Sequence, residues 1–269
     1  NPDWYLGIEY AKEQERGYDY KEDLFVPGYF EVSLKKGDVL LFSAATEPIY
    51  PRMLKRLFDS EKASRSFRTS FLQSLKISAS QFVVKRDGKK YIIAGYPWFK
   101  CRARDEFISL PGVSLYADNE TLFHDIMKNA LVAVNEFISD KENTTNLVEI
   151  DSPDALLWFI YTIQQFANKC GIHKAAEKYA TVVFAILSFI KKHKHPNLFC
   201  HDQGLLYTNG KQVPVSWMNA VENGEPIVPR TGYLVEINAL WYNALKFAAE
   251  LANVKGEDSQ TDLYNYQAE

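Results

Sequence analysis

The chain has 269 residues, 46% of them hydrophobic and 24% charged, with a formal net charge of −3. That suits one large globular domain or two modest ones, and it gives no electrostatic case for nucleic acid or an anionic membrane. The longest apolar stretch, Tyr179 to Ile190, is shorter than the ~20 residues a bilayer-spanning helix needs.

The first 45 or so residues read as β. Tyr29 to Leu34 alternates, Lys35-Lys36-Gly37-Asp38 is a turn, and Val39 to Phe42 follows. Two or three strands do not stand alone, so partner strands are expected upstream of residue 1. The chain opens on Asn1-Pro2-Asp3-Trp4, without an initiator Met or a signal-like segment, as an excised piece would. Pro48 and Pro51 mark a linker, with a short helix from Arg52 to Phe58. The expected domains are therefore 1–47, a 48–65 linker and 66–269.

From Ser66 the period changes to helical: Phe67, Phe71, Leu72 and Leu75 recur on one face. A hairpin turning at Asp87-Gly88 comes next. Helices are predicted at about 105–117, then through Leu122, Ile126, Ala130 and Phe137, then from Ser152-Pro153-Asp154 to about 169. Ser152 is the expected N-cap of the third of these, and Gly171 its C-terminal cap. Further helices are expected at 173–192, stopped by His195-Pro196, and at 235–253, the last of six.

Connections near 117–119 and 170–172 are short, whereas 82–104, 140–153 and 194–231 are long. Short and long loops alternate, so in stacked antiparallel helices the long loops crowd one face, where function is usually carried. Helices entered from long loops are the more apolar, Leu156 to Phe166 above all, as helices surrounded by protein should be. This fits a two-layer ring. An α-solenoid scaffold remains open, although no repeat of fixed period is evident.

Each apolar helix starts with polar residues beside an aromatic. The starts are Trp98 to Asp105, Asp151 to Asp154 with Trp158 a turn inside, and Arg230 to Asn238 with Trp241 just inside; Trp217 lies in the preceding loop. Blandly, Asp154 complements a helix dipole, Arg104-Asp105 is a surface pair, and Trp158 and Trp241 are core. Glu236 and Asn238 are harder to dismiss, because buried polar groups need partners. Taken together, these acids, amides, arginines and indoles would meet around one hollow of the kind that binds sugar. Glycoside hydrolysis also needs two carboxyl groups flanking the bond. The three cysteines, Cys101, Cys170 and Cys200, are odd in number and far apart, which argues against disulfides or a CxxC metal site and reads as a reducing compartment, the cytoplasm. His193, His195 and His201 imitate a metal cluster, but the flanking Lys and Pro speak against one.

Three blocks carry a family resemblance. Tyr96-Pro97-Trp98-Phe99 followed by Arg104-Asp105 and Phe107 to Gly112 resembles a signature of bacterial and archaeal glycogen debranching enzymes, in detail those of Bacteroides type. Asp154 to Phe159 is similar to a second block; Trp217-Met218-Asn219-Ala220 and Pro229 to Leu245 look like a third. The resemblance implies a mainly α fold: an incomplete (α/α)₆ toroid of glucoamylase type, preceded by the end of a β-sandwich domain. It implies inverting hydrolysis of α-1,6-linked glucose at trimmed glycogen branch points, with an α-glucan as partner, no nucleic acid or membrane, and no cofactor or metal. Arg104 and Asp105 would anchor the glucose, Asp154, Arg230 and Asn238 would bind hydroxyls, and Trp98, Trp217 and Trp241 would stack.

The chain departs from the pattern twice. Arg102-Ala103 stands where many relatives have Trp-Gly. Asn219 stands where relatives carry the Asp read as general acid, and an amide cannot donate that proton. Glu236, then Glu222, are the alternative acids, and the second carboxylate is expected in a later helical repeat. A non-catalytic glucan-binding relative and a helical interaction scaffold remain as alternatives.

Overall fold

The computed structural model describes residues 2–269 and is mainly helical. It divides into two compact units, one ending at Ser66 and the other running Phe67–Glu269.

In the first unit, β1 (Asp3–Glu9) and β2 (Lys21–Val26) pair antiparallel around a short helix, α1 (Ala11–Glu15). The strands predicted at 29–34 and 39–42 do not form. Their turn does: the Asp38 amide donates to Lys35 O at 3.0 Å, and the Lys35 amide to Asp38 Oδ2 at 2.8 Å. The rings of Phe30 and Phe42 meet edge-on at 5.5 Å, but no ladder joins the two segments. Tyr29 and Phe30 remain 80% and 85% exposed, so no layer is buried beneath the ribbon, and an unsupported two-stranded ribbon is marginal. Helix α2 (Leu54–Ser64) closes the unit and extends beyond the predicted 52–58.

In the second unit, α3 (Phe71–Ser80) is capped by the Ser70 side chain. The hairpin of β3 (Val83–Arg86) and β4 (Lys89–Ile92) follows. Asp87 and Gly88 both have positive φ, 49° and 75°, as a type I′ turn requires. Strand β5 (Cys101–Arg102) leads into α4 (Ala103–Leu110), which passes into a single π-turn at Pro111–Leu115. Pro111 has no N–H to give to the Phe107 carbonyl four residues back. The Thr162 hydroxyl supplies it instead, donating to Phe107 O at 2.6 Å.

Helix α5 (Glu120–Ile138) is capped by Asn119, and β6 (Leu147–Val148) then pairs parallel with β5. Helix α6 (Ala155–Cys170) ends at Gly171, whose φ of 101° suits glycine, and α7 (Ile172–Lys191) turns straight back. Ser152 does not cap α6; its hydroxyl is taken by Arg104 and Asp154. After α7 come the hairpins β7 (Leu198–Cys200) with β8 (Leu206–Thr208) and β9 (Val221–Glu222) with β10 (Glu225–Pro226). Helix α8 (Val235–Val254) is then followed by a further helix, α9 (Asp258–Ala268), which the sequence pattern did not reveal.

Helices α4, α6 and α8 pack side by side in one row; α5, α7 and α9 pack on the other side. The helix packing is aromatic, both within a row and across the two. Phe123 stacks on Phe166 at 5.1 Å, and Phe107 meets Phe159 edge-on at 5.2 Å, each ring fully buried and contributing about 2–3 kcal/mol by area. The parallel pairing of β5 with β6 brings the entrances of α4 and α6 to one end. None of the described helices is long and apolar enough to cross a membrane.

Candidate functional site

The three long loops do converge. A cleft of about 380 Å³ is walled by Arg102 and Arg104 from the first, Glu149, Asp151 and Ser152 from the second, and Asn197, Ser216 and Asn219 from the third.

Its floor is an ion pair. Arg104 is the second residue of α4 and only 8% exposed; Asp154, just before α6, is 3% exposed. Arg104 Nε donates to Asp154 Oδ2 at 2.7 Å and Nη2 to Oδ1 at 2.8 Å, while Nη2 also reaches the Ser152 hydroxyl. Fork-to-fork geometry of this kind fixes direction as well as charge. Behind it lies His195, 1% exposed, between the rings of Phe137 and Phe189. Burial pushes its imidazole down to about 4, with the Asp154 charge acting the other way. Its Nδ1 accepts from the Asn197 amide at 3.2 Å, so the ring is neutral and braces the loop that carries Asn197.

The lip is built from a second pair. Arg102 Nε lies 3.2 Å from Glu149 Oε1, and the guanidinium sits over the Phe99 ring at 5.0 Å. Glu149 has φ of 59°, a strained backbone that a non-glycine residue adopts only when its surroundings impose it. Asp151 is exposed and makes no hydrogen bond or ion pair among the described residues. Asn219 is half-buried, and its carboxamide makes no hydrogen bond among the described residues.

The other expected site residues are distributed differently. Asp105 follows Arg104 in sequence, but the helical turn carries it to a separate, mostly apolar hollow beside Phe82, Ile93 and Ile108. Glu236 opens α8 and lines a groove between α6 and α8 with Trp158, Tyr161 and Asn243. Its Oε1 is 2.6 Å from Arg230 Nη2, an ion contact without hydrogen-bond alignment. Asp105, Asp154 and Glu236 thus do not share one hollow: Asp154 lies in the cleft floor, and Asp105 and Glu236 line two separate recesses.

Asn238 and Trp241 work inside the fold. The Asn238 carboxamide accepts from the Leu206 amide at 2.8 Å and donates to the carbonyls of Leu206 and Leu234. Trp241 is 3% exposed and its indole donates to Gly204 O at 3.0 Å, so neither face is open to a ligand. Trp98 and Trp217 are 83% and 61% exposed on loops, the second flanked by the cleft residues Ser216 and Asn219. Among the lining residues, Glu149, Asn197 and Ser216 carried no sequence signal. Arg102, Asp151 and Ser152 lay within the helix starts already singled out.

Deeper in the same unit, Glu106 is fully buried. Its Oε2 accepts from the Ile92 amide at 2.8 Å and Oε1 has no partner. Burial pushes the carboxyl up to about 8, the Ile92 bond opposing. The three cysteines are free thiols.

Comparison with known families gives two matches. The family described as amylo-alpha-1,6-glucosidase matches residues 77–269, and that of the glycogen debranching enzyme N terminus matches residues 1–41. No curated protein and no solved structure gives a match.

Proposed function

Because the chain belongs to the amylo-α-1,6-glucosidase family of glycogen debranching enzymes, we propose that it supplies a substrate-holding part of a glycosidase that cleaves α-1,6-linked glucose at glycogen branch points. The two rows of helices, with their entrances gathered at one end, support the reading of an arc of an (α/α)₆ toroid. The separate free thiols agree with a cytoplasmic setting.

The observation that carries the reading is the cleft where the three long loops meet. Arg104, fixed by Asp154 and Ser152, presents its remaining N–H groups from the floor. Asp151 offers a carboxylate with free lone pairs and Asn219 a carboxamide able to donate and accept. This set can bind the hydroxyls of one glucose unit. Trp217, exposed next to the cleft residue Ser216 in sequence, offers a ring to the sugar's C–H face.

Hydrolysis with inversion needs two carboxyl groups, one to protonate the leaving oxygen and one to activate water. In this cleft Glu149 is committed to Arg102, which leaves Asp151 as the unpaired carboxylate. Glu236, the first alternative acid, is committed to Arg230, and Glu222 is exposed on β9. The chain alone is therefore proposed to bind glucan without turning it over. Release of reducing sugar from a branched glucan should be absent for residues 1–269 and present for the full protein. Turnover by 1–269 at an ordinary enzyme rate would refute this division. The second reading, a relative that binds glucan without cleaving it, is favoured by Asn219, and predicts no turnover by the full protein either.

A further inference from the structure

Beyond the cleft, one more surface has the chemistry of a sugar platform. His201 and Tyr207 stack at 5.5 Å with 22° between their planes, and Tyr233 stands edge-on to both, at 5.3 and 5.5 Å. Tyr233 is 50% exposed, His201 is exposed and Tyr207 half-buried. The Tyr233 hydroxyl and His201 Nδ1 are joined at 2.8 Å. None of the three lines the cleft.

The rings are held rigidly, from below. Trp241 fixes the turn after His201 through Gly204 O, and Asn238 grips Leu206, the residue before Tyr207, at both its amide and its carbonyl. Thr208 and Gly232 exchange backbone hydrogen bonds at 2.9 and 3.0 Å, which ties Tyr207 to Tyr233 through their immediate neighbours. Gly210 completes the frame. A Cβ there would fall 2.5 Å from the Arg230 carbonyl oxygen, so the two backbones meet only because Gly210 has none. The predicted sugar ligands Asn238 and Trp241 are thus the anchors of an aromatic surface.

We propose that His201, Tyr207 and Tyr233 form a second α-glucan binding site, which holds the polymer while a branch occupies the cleft. It rests on the reading of the chain as glucan-handling. A preorganised aromatic surface binds the C–H faces of glucose at little ordering cost, and the hydroxyl and imidazole at its edge meet sugar hydroxyls.

The test compares polymer with short substrate in the full protein. Tyr233→Ala should weaken glycogen binding in affinity electrophoresis by about tenfold, and His201→Ala, which removes an exposed ring, by about threefold. Tyr233→Phe, which keeps the ring, should bind within about twofold of wild type. Turnover of a short branched oligosaccharide, too small to span both sites, should stay within about twofold for all three. Glycogen binding unchanged in both alanine variants, or short-substrate turnover falling in step with it, would overturn the proposal. Wild-type protein that binds no glycogen would overturn the glucan reading and this site with it, a result distinct from retained binding by the variants.

Discussion

Arg104 and Asp154, fifty residues apart, face each other fork to fork, with Nε to Oδ2 at 2.7 Å and Nη2 to Oδ1 at 2.8 Å, both side chains almost wholly buried. The pair ties the first turn of α4 to the entrance of α6 and so fixes the cleft floor. Removing either partner leaves an uncompensated buried charge. Arg104→Ala or Asp154→Ala should each cost about 3–5 kcal/mol in denaturant unfolding, and the double variant clearly less than the sum. Additive losses would show that the two groups act independently.

Asn219 lines the cleft where the resemblance places a proton donor. If that position is the acid's position, Asn219→Asp should add a proton donor to the cleft. In the full protein it should raise release of reducing sugar from a branched glucan by about a hundredfold. An unchanged rate would mean that Asn219 only binds.

Glu106 makes stability depend on pH. Its carboxyl is raised to about 8 in the folded protein, against an ordinary value of 4.5. The folded state therefore keeps a proton that the unfolded chain has released. The stability this gives is complete below pH 4.5 and is lost as pH rises towards 8, by up to about 1.4 kcal/mol per pH unit. The lowered imidazole of His195 acts in the opposite direction up to about pH 6.5, so between about pH 6.5 and 8 melting temperatures should fall more steeply for wild type than for Glu106→Gln. Parallel curves would contradict the assignment.

How much of this was readable follows from where each signal resides. The helices announced themselves by period, and the alternation of short and long loops placed the entrances at one end, because topology depends on spacing and not on contacts. Side-chain direction did not follow. Arg104 and Asp105 are neighbours in sequence, yet one helical step sends them to different hollows. Asn238 and Trp241 looked like ligands because a polar or indole group in a buried turn needs a partner; the partners are backbone groups of a loop over thirty residues upstream, beyond the reach of local pattern. Helix α9 was missed because Asp258 to Ala268 is largely polar, with Tyr264 its one buried residue. The 29–34 and 39–42 strands failed for the opposite reason: alternation was present and the layer to pack against was not.

Asn238 offers a check on the anchoring role. Asn238→Ala leaves the Leu206 amide without its partner at 2.8 Å and frees its carbonyl. The expected cost is about 1–3 kcal/mol of unfolding free energy. Hydrogen exchange at the Leu206 amide should accelerate with it. A variant as stable as wild type, with Leu206 still protected, would show that the contact is incidental.

The central claim is that the cleft between the three long loops holds a glucose unit, and calorimetric titration with a maltooligosaccharide tests it most directly. Asp151 is exposed and unpaired, so Asp151→Ala should leave stability within about 0.5 kcal/mol. The account predicts that the wild-type chain binds and that Asp151→Ala binds about tenfold more weakly at an unchanged melting temperature. Equal affinity for the two proteins would contradict it.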